Sequence, residues 1–316
     1  FLSGNPKADV GPDEIQGLAA HNGFLIIFGK RQILVYQDAT TPSTMQLSDT
    51  VGGIGCIARD TIQTTGKDVL FLSNSGVRSF ARTIIEKSAP IGDLSKNVRN
   101  DLMDIVASET LANIKSVYSE KEAFYLITLP SVKEIYYFDT RTQLQDGSFR
   151  VTVWDSVEPT ALLSRRNGDV LIGKTGYIGK YGTFQDDGVA YRMLYYTNHS
   201  DLGNANVTSI LKRLKATVIG GTSQTVTIKW GFDLLTNYHS ANATIPAQSI
   251  SEYGIAEYGA NAVPVAYYAE GILMQVLSVP ATGSGKIVQT GYESNINGSA
   301  LSIQRIEIQY KDGKLS

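Results

Sequence analysis

The chain has 316 residues, of which 42% are hydrophobic and 18% are charged, and its formal net charge is −2. This balance is typical of a globular protein and argues against a broad basic surface for wrapping nucleic acid, although not against a channel through which nucleic acid passes. The single cysteine, Cys56, excludes an intramolecular disulfide. No apolar run approaches the roughly 18 residues of a membrane span. Because the first residue is Phe1, we expect a processed chain or a piece of a longer one.

A block of strand, turn and strand recurs four times in the first half of the chain. Each block ends in an aromatic residue, and these residues are Tyr36, Phe80, Tyr137 and Tyr181. Their separations are 44, 57 and 44 residues. A period in the forties that is built from antiparallel strands is typical of β-propeller blades.

Each block can be completed to a blade of four strands. Preceding strands are predicted at 17–20, 55–58, 114–118 and 160–163, and outer strands at 44–47, 89–91, 149–154 and 189–195. Two of the connecting turns contain Asn-Gly, at Asn22-Gly23 and Asn167-Gly168, which suits a type I′ turn. One blade buries too little apolar surface to fold alone, so we expect the blades to stack on one another.

A short helix is predicted between the second and third blocks, at residues 93–105. Val98, Leu102 and Ile105 recur there at helical spacing, and Ser95 is expected to cap the start. Removing about a dozen residues for this helix restores the regular period of the blocks.

The repeat stops near Asp187, where longer alternating strands begin. They predict a β-sandwich over 188–316, after a propeller domain over 1–187 that we expect to be incomplete at its N-terminus. Strands are predicted at 211–219, 225–232, 265–268, 273–279, 286–292 and 301–310. In the second of these, Val226, Ile228 and Trp230 share one face. The Tyr-rich segment 251–259 is interpreted either as an exposed loop or as an interface loop.

Motifs for catalysis are weak throughout the chain. The three histidines, His21, His199 and His239, have no metal-ligand spacing and are expected at the surface. Gly53–Ala58 matches a dinucleotide fingerprint but lacks a helix after it, and Gly283–Lys286 is an incomplete phosphate loop interpreted as a turn. No catalytic, cofactor-binding or metal-binding residue is predicted, and the protein is not expected to be an enzyme.

Several segments resemble the tail nozzle, tail tubular protein B and packaged-DNA stabilisation proteins of short-tailed bacteriophages (podoviruses). These segments are 17–29 (GLAAHNGFLIIFG), 69–82 (VLFLSNSGVRSFAR), 90–95 (PIGDLS), 229–233 (KWGFD) and 306–313 (IEIQYKDG). The resemblance implies a virion structural protein that forms a homo-oligomeric ring, typically of six copies, below the portal and adaptor. Such a ring closes the DNA exit channel, carries fibres or a needle, and lets DNA pass without sequence-specific binding. The expected location is the phage tail, after assembly from the host cytoplasm.

The sequence is also compatible with two other functions. A carbohydrate-binding or glycan-cleaving β-propeller is one, because Tyr137, Trp154 and Tyr181 could stack on sugar rings. An interaction propeller of a cellular protein is the other, although the blades carry no repeated Trp-Asp pair.

Overall fold

The computed structural model describes residues 13–41, 43–87, 93–203, 206–221, 223–246 and 274–315. Within them the protein is all-β, as its sequence predicts, with several antiparallel sheets and two short α-helices, of which one was predicted. The chain divides into two compact units, 1–181 and 182–316. The division lies six residues before the predicted domain boundary at 187/188. The outer strand predicted at 89–91, the loop at 251–259 and the strand at 265–268 lie outside the described residues.

The first sheet is a meander of four strands in chain order. Its strands are β1 (Ile15–His21), β2 (Phe24–Gly29), β3 (Gln32–Gln37) and β4 (Gln46–Gly52). Asn22 and Gly23 both have positive φ, at 50° and 81°, as the predicted type I′ turn requires. The predicted outer strand at 44–47 lies two residues too early and is too short.

The second sheet is a meander of three described strands followed by two helices. Its elements are β5 (Gln63–Thr64), β6 (Val69–Ser73), β7 (Gly76–Ser79), α1 (Phe80–Glu86) and α2 (Arg99–Ser108). The strand predicted at 55–58 is wrong, because this buried segment bonds instead across two sheets: Cys56 N–H donates to the Gly29 carbonyl and Ile57 N–H to that of Leu72. The prediction that a strand runs to Phe80 is also wrong, since the Ser79 side chain accepts a hydrogen bond from Arg82 N–H and starts α1 there.

The predicted inserted helix is present as α2, but it begins at Arg99 rather than near Ser95. Its N-cap residue is Val98, and no side chain caps it. Ser95 instead accepts a hydrogen bond from Val77 N–H and donates to Asp93. Leu102 is fully buried, as its spacing predicts, and Ile105 is partly buried against the same core.

The third and fourth sheets continue the meander pattern. The third contains β8 (Lys115–Ser119), β9 (Phe124–Leu129), β10 (Glu134–Gln143) and β11 (Phe149–Trp154), and the fourth contains β12 (Ala161–Ser164), β13 (Val170–Lys174) and β14 (Tyr177–Lys180). The turn at Asn167-Gly168 is not type I′, because only Gly168 has positive φ. Four strands are therefore described in the first and third sheets and three in the second and fourth.

Consecutive sheets of this unit share cores, so the inner sheets are buried on both faces. Along β6, Val69 and Phe71 pack into a core with the first sheet, whereas Leu70 and Leu72 pack into a core with the third. Such alternation follows from the period of two in a strand. The sheets stack in chain order, as blades do, but the described residues do not show them closing into a ring.

The second unit consists of two sheets that share one apolar core, which is a sandwich-like arrangement. The fifth sheet has the order β15-β21-β17-β18, and in the sixth β19, the short β20 and β22 all pair with β16. The bounds are β15 (Tyr191–Tyr196), β16 (Val207–Gly220), β17 (Thr225–Phe232), β18 (His239–Thr244), β19 (Met274–Pro280), β20 (Ser284–Gly285), β21 (Val288–Ile296) and β22 (Leu301–Leu315).

Most of the strands predicted for this unit are present, and one was assigned to the wrong sheet. The strand at 225–232 is confirmed, with Val226, Ile228 and Trp230 buried on one face. The strand predicted at 189–195 as the outer strand of a fourth blade is instead β15, which pairs with β21 along its whole length.

Candidate functional site

An aromatic cluster of four rings joins the third and fourth sheets. It contains Phe124, Tyr137, Trp154 and Tyr181, which come from β9, β10, β11 and the residue after β14. The Tyr137 and Trp154 rings are stacked with centroids 5.2 Å apart, and Trp154 and Tyr181 are stacked at 6.0 Å. Phe124 closes the cluster, at 5.0 Å from Tyr137 and 5.1 Å from Tyr181.

The structure thus brings together the three aromatic residues that the sequence suggested for sugar binding. Stacking on a sugar requires an open ring face, yet Trp154 is stacked by both tyrosines. Burial raises the pKa of Tyr137 to about 12, with further contributions from Tyr181 and Asp139. The cluster therefore acts foremost as a packing contact between two sheets, where aromatic pairs add about 0.5–1.5 kcal/mol each beyond buried area.

A charged pair borders this cluster. The Asp139 carboxylate accepts hydrogen bonds from Arg141, at 2.9 Å from Nε to Oδ1 and 2.8 Å from Nη2 to Oδ2. These bonds lower the pKa of Asp139 and raise that of Arg141. This bidentate hydrogen bonding holds the Arg141 side chain in one orientation.

A buried arginine is the second notable polar feature of the first unit. Arg78 on β7 is fully buried and donates hydrogen bonds to Ser73 Oγ at 3.1 Å and from Nη2 to Ser75 Oγ at 2.8 Å. Burial lowers its pKa, whereas the nearby Asp93 carboxylate opposes that shift. Asp93 pairs with Arg78 as an isolated β-bridge and lies 3.8 Å from the Arg99 Nε. This cluster links the second sheet to the start of α2. Sequence reasoning missed it because an arginine is ordinarily expected at the surface rather than fully buried.

The three histidines and the single cysteine lie in different environments. The prediction that His21 lies at the surface is wrong, because it is buried at the end of β1. His199 and His239 are exposed as predicted, and His239 stacks on Trp230 at 5.7 Å. Cys56 is fully buried, and burial raises the pKa of its thiol to about 11. The thiol therefore stays protonated and unreactive at neutral pH.

The two weak nucleotide motifs have structural roles. A 3₁₀ helix of three residues, Arg59–Thr61, follows Gly53–Ala58, so no α-helix N-terminus meets a ligand there. At Gly283–Lys286 the Asp233 carboxylate accepts hydrogen bonds from the N–H groups of Lys286 and Ile287. Within the described ranges, no cluster of three or more His, Cys, Asp or Glu side chains could hold a metal. None of the described helices is long and apolar enough to cross a membrane.

Comparison with known proteins adds little. No family model and no curated protein sequence matches the chain. Solved structures do match it, among them the crystal structure of the computationally designed Ika4 protein, at 14% identity and a TM-score of 0.34. That match covers 57% of this chain and 98% of the other. A TM-score of this size carries no inference about fold or function.

Proposed function

We propose that this protein is a structural component of a short-tailed phage virion, a tail nozzle or hub protein that helps to retain and release packaged DNA. One observation carries the proposal: a unit of stacked meander sheets is followed by a sandwich-like unit, in a chain whose segments resemble that protein class. The proposal includes a ring of copies, typically six, that contacts the portal or adaptor and a fibre or needle protein.

The packing of the first unit supports a mechanical role. The second and third sheets are buried on both faces, so neither can move without disrupting two cores. Close-packed interiors of this kind deform little under load. A tail component must keep its neighbours at fixed positions, and loops at the ends of stacked sheets are suited to that task.

The charge of the chain is compatible with a DNA conduit. Its net charge is −2, with 28 Lys and Arg residues against 30 Asp and Glu residues. A near-neutral wall releases few counterions from DNA, so the DNA is held weakly and can slide.

The test is quantitative mass spectrometry of purified particles of the virus whose genome encodes the chain. We expect the protein in a fixed ratio to the portal subunit from one preparation to the next, with about six copies per particle if the ring has the size that the resemblance implies. Absence from purified particles would defeat the proposal. The alternative of a glycan-active propeller has no specific observation in its favour, because the three aromatic residues suggested for it stack on one another.

A further inference from the structure

The outward face of the fifth sheet, here called the β15 face, has an unusual composition. Alternate residues point to opposite faces of a strand, and Val226, Ile228 and Tyr292 point into the core. The opposite positions carry three charged residues, Arg192, Lys229 and Glu293, and two aromatic or apolar residues, Leu194 and Tyr196. The remaining outward positions are uncharged polar residues or glycine, including Thr225, Thr227, Asn242, Thr244, Gln289 and Asn295.

Glu293 is the centre of this face. Its carboxylate lies 2.7 Å from Lys229 Nζ and 2.8 Å from Arg192 Nη2, and it accepts a hydrogen bond of 2.5 Å from the Tyr196 hydroxyl. Burial alone would raise the pKa of Glu293, but the bonds from Lys229, Tyr196 and Arg192 outweigh it and lower the pKa to about 2. The donors come from both neighbouring strands, so the network holds three side chains in fixed positions.

Two glycines place two tyrosine rings directly on the sheet. A Cβ atom at Gly291 would overlap the Tyr196 ring, and one at Gly231 would lie 2.9 Å from the Tyr238 ring. The two rings meet edge to face with centroids 5.8 Å apart, and the Tyr238 hydroxyl donates to Gln289. Tyr196 nevertheless remains 37% exposed. Both rings are thus anchored at their hydroxyl ends while Tyr196 still presents a surface to solvent.

We propose that the β15 face binds a glycan that carries carboxylate groups, such as a chain with uronic acid residues. An anchored aromatic ring supplies the apolar surface against which a sugar ring packs, at low cost in conformational entropy. Among the described residues on the strands of this face there are two cations and one carboxylate, a balance that suits an acidic ligand. Hydroxyl and amide side chains around the tyrosines can bond to sugar hydroxyl groups. This proposal does not depend on the virion role.

A nucleic acid fits the face less well. Strong binding of a phosphate backbone requires several cations along its path, whereas this face has two, and a carboxylate lies between them. A nucleic acid is therefore kept as an outcome of the test that would overturn the proposal.

The experiment uses the whole chain on a glycan array that contains acidic and neutral glycans of matched length, followed by titration calorimetry. We expect at least one carboxylate-bearing glycan to bind more tightly than its neutral counterpart. Tyr196→Ala should weaken that binding about tenfold, which is typical of a central aromatic contact. Tyr196→Phe keeps the ring and should bind within about threefold of the unmodified protein.

Matched controls come from the sixth sheet. Arg192 is paired with Glu293 and its side chain is 59% exposed, while Arg305 is paired with Glu307 and is 72% exposed. Arg192→Gln should therefore weaken acidic-glycan binding and Arg305→Gln should not. Tyr310→Ala is the control for Tyr196→Ala, because it removes an exposed tyrosine ring from the sixth sheet. It should leave glycan binding unchanged. Three results would overturn the proposal: no acidic glycan binds, Tyr196→Ala in a folded state binds normally, or single-stranded DNA binds more tightly than any glycan.

Discussion

Replacing Glu293 by Gln removes the one carboxylate that joins three side chains on the β15 face. The pKa of Glu293 falls from an ordinary 4.5 to about 2 in the folded protein. At about 1.4 kcal/mol per pH unit, this difference corresponds to about 3 kcal/mol of stability at neutral pH. The Glu293 side chain is 12% exposed, but its partner Arg192 is 59% exposed. Solvent screening therefore reduces the expected loss to about 1–2 kcal/mol.

The direction of the Glu293 pKa shift determines how the effect of Glu293→Gln on stability depends on pH. The folded pKa of Glu293 is depressed, so its contribution is fully present above pH 4.5 and is lost as the pH falls towards 2. Glu293→Gln should thus lower the free energy of unfolding at pH 7, and the gap to the unmodified protein should close near pH 2. Urea unfolding can be followed by the fluorescence of Trp230 in a Trp154→Phe background, because the chain has only two tryptophans.

Glu307→Gln is the control, since its pair with Arg305 is 3.1 Å long and more exposed. We expect it to change the stability by less than about 0.5 kcal/mol. An equal loss from both variants at pH 7, or a gap for Glu293→Gln that is as large at pH 2.5 as at pH 7, would refute the reasoning.

Three further predictions concern the first unit. Trp154→Ala should destabilise that unit by about 2–3 kcal/mol in urea unfolding, because it removes a half-buried ring and two stacked contacts; a loss below 1 kcal/mol would contradict the role of the cluster. Gly76→Ala should cost about 2 kcal/mol or more in the same assay, since φ is +120° and a Cβ atom would lie 2.5 Å from the Ser95 Oγ. Gly66→Ala is its matched control, with positive φ but open space, and should cost less. Cys56 should react with a thiol reagent only after denaturant is added, and rapid labelling of the native protein would show that its burial is wrong.

Strand periodicity predicted most of the second unit because strands such as β17 have one buried face, whereas β18, which has no fully buried residue, was not predicted. Val226, Ile228 and Trp230 alternate with polar residues, and this pattern alone identified both the strand and its core side. In the first unit the inner sheets are buried on both faces, so strands such as β9 are buried throughout and alternation gives no register. There the recurring blocks of strand, turn and strand, not the faces, carried the prediction of blades.

The failed strand predictions share a physical cause. Residues 55–58 are apolar and buried, as in a strand, but their backbone groups bond to Gly29 and Leu72 in two different sheets. β15 was assigned to a fourth blade because its spacing fitted the period, whereas it pairs with β21, about 100 residues away. Pairing over such distances depends on tertiary packing, which local propensity does not encode.

The candidate sites were predictable only in part. Aromatic residue type was enough to single out Tyr137, Trp154 and Tyr181, but not to show that they stack on one another. The β15 face was missed because its central contacts join residues that are distant in the chain, such as Tyr196 and Gly291. A glycine on a strand opposite a tyrosine is the one sequence signal that could have indicated it.

The most direct test of the proposed virion role is electron microscopy of purified virus particles labelled with a gold-conjugated antibody against this chain. We expect gold at the tail end of the particles, and loss of the label when the antibody is first absorbed with the purified protein. Label on the head alone, or particles that stay unlabelled while the denatured particle proteins also fail to bind the antibody, would contradict it.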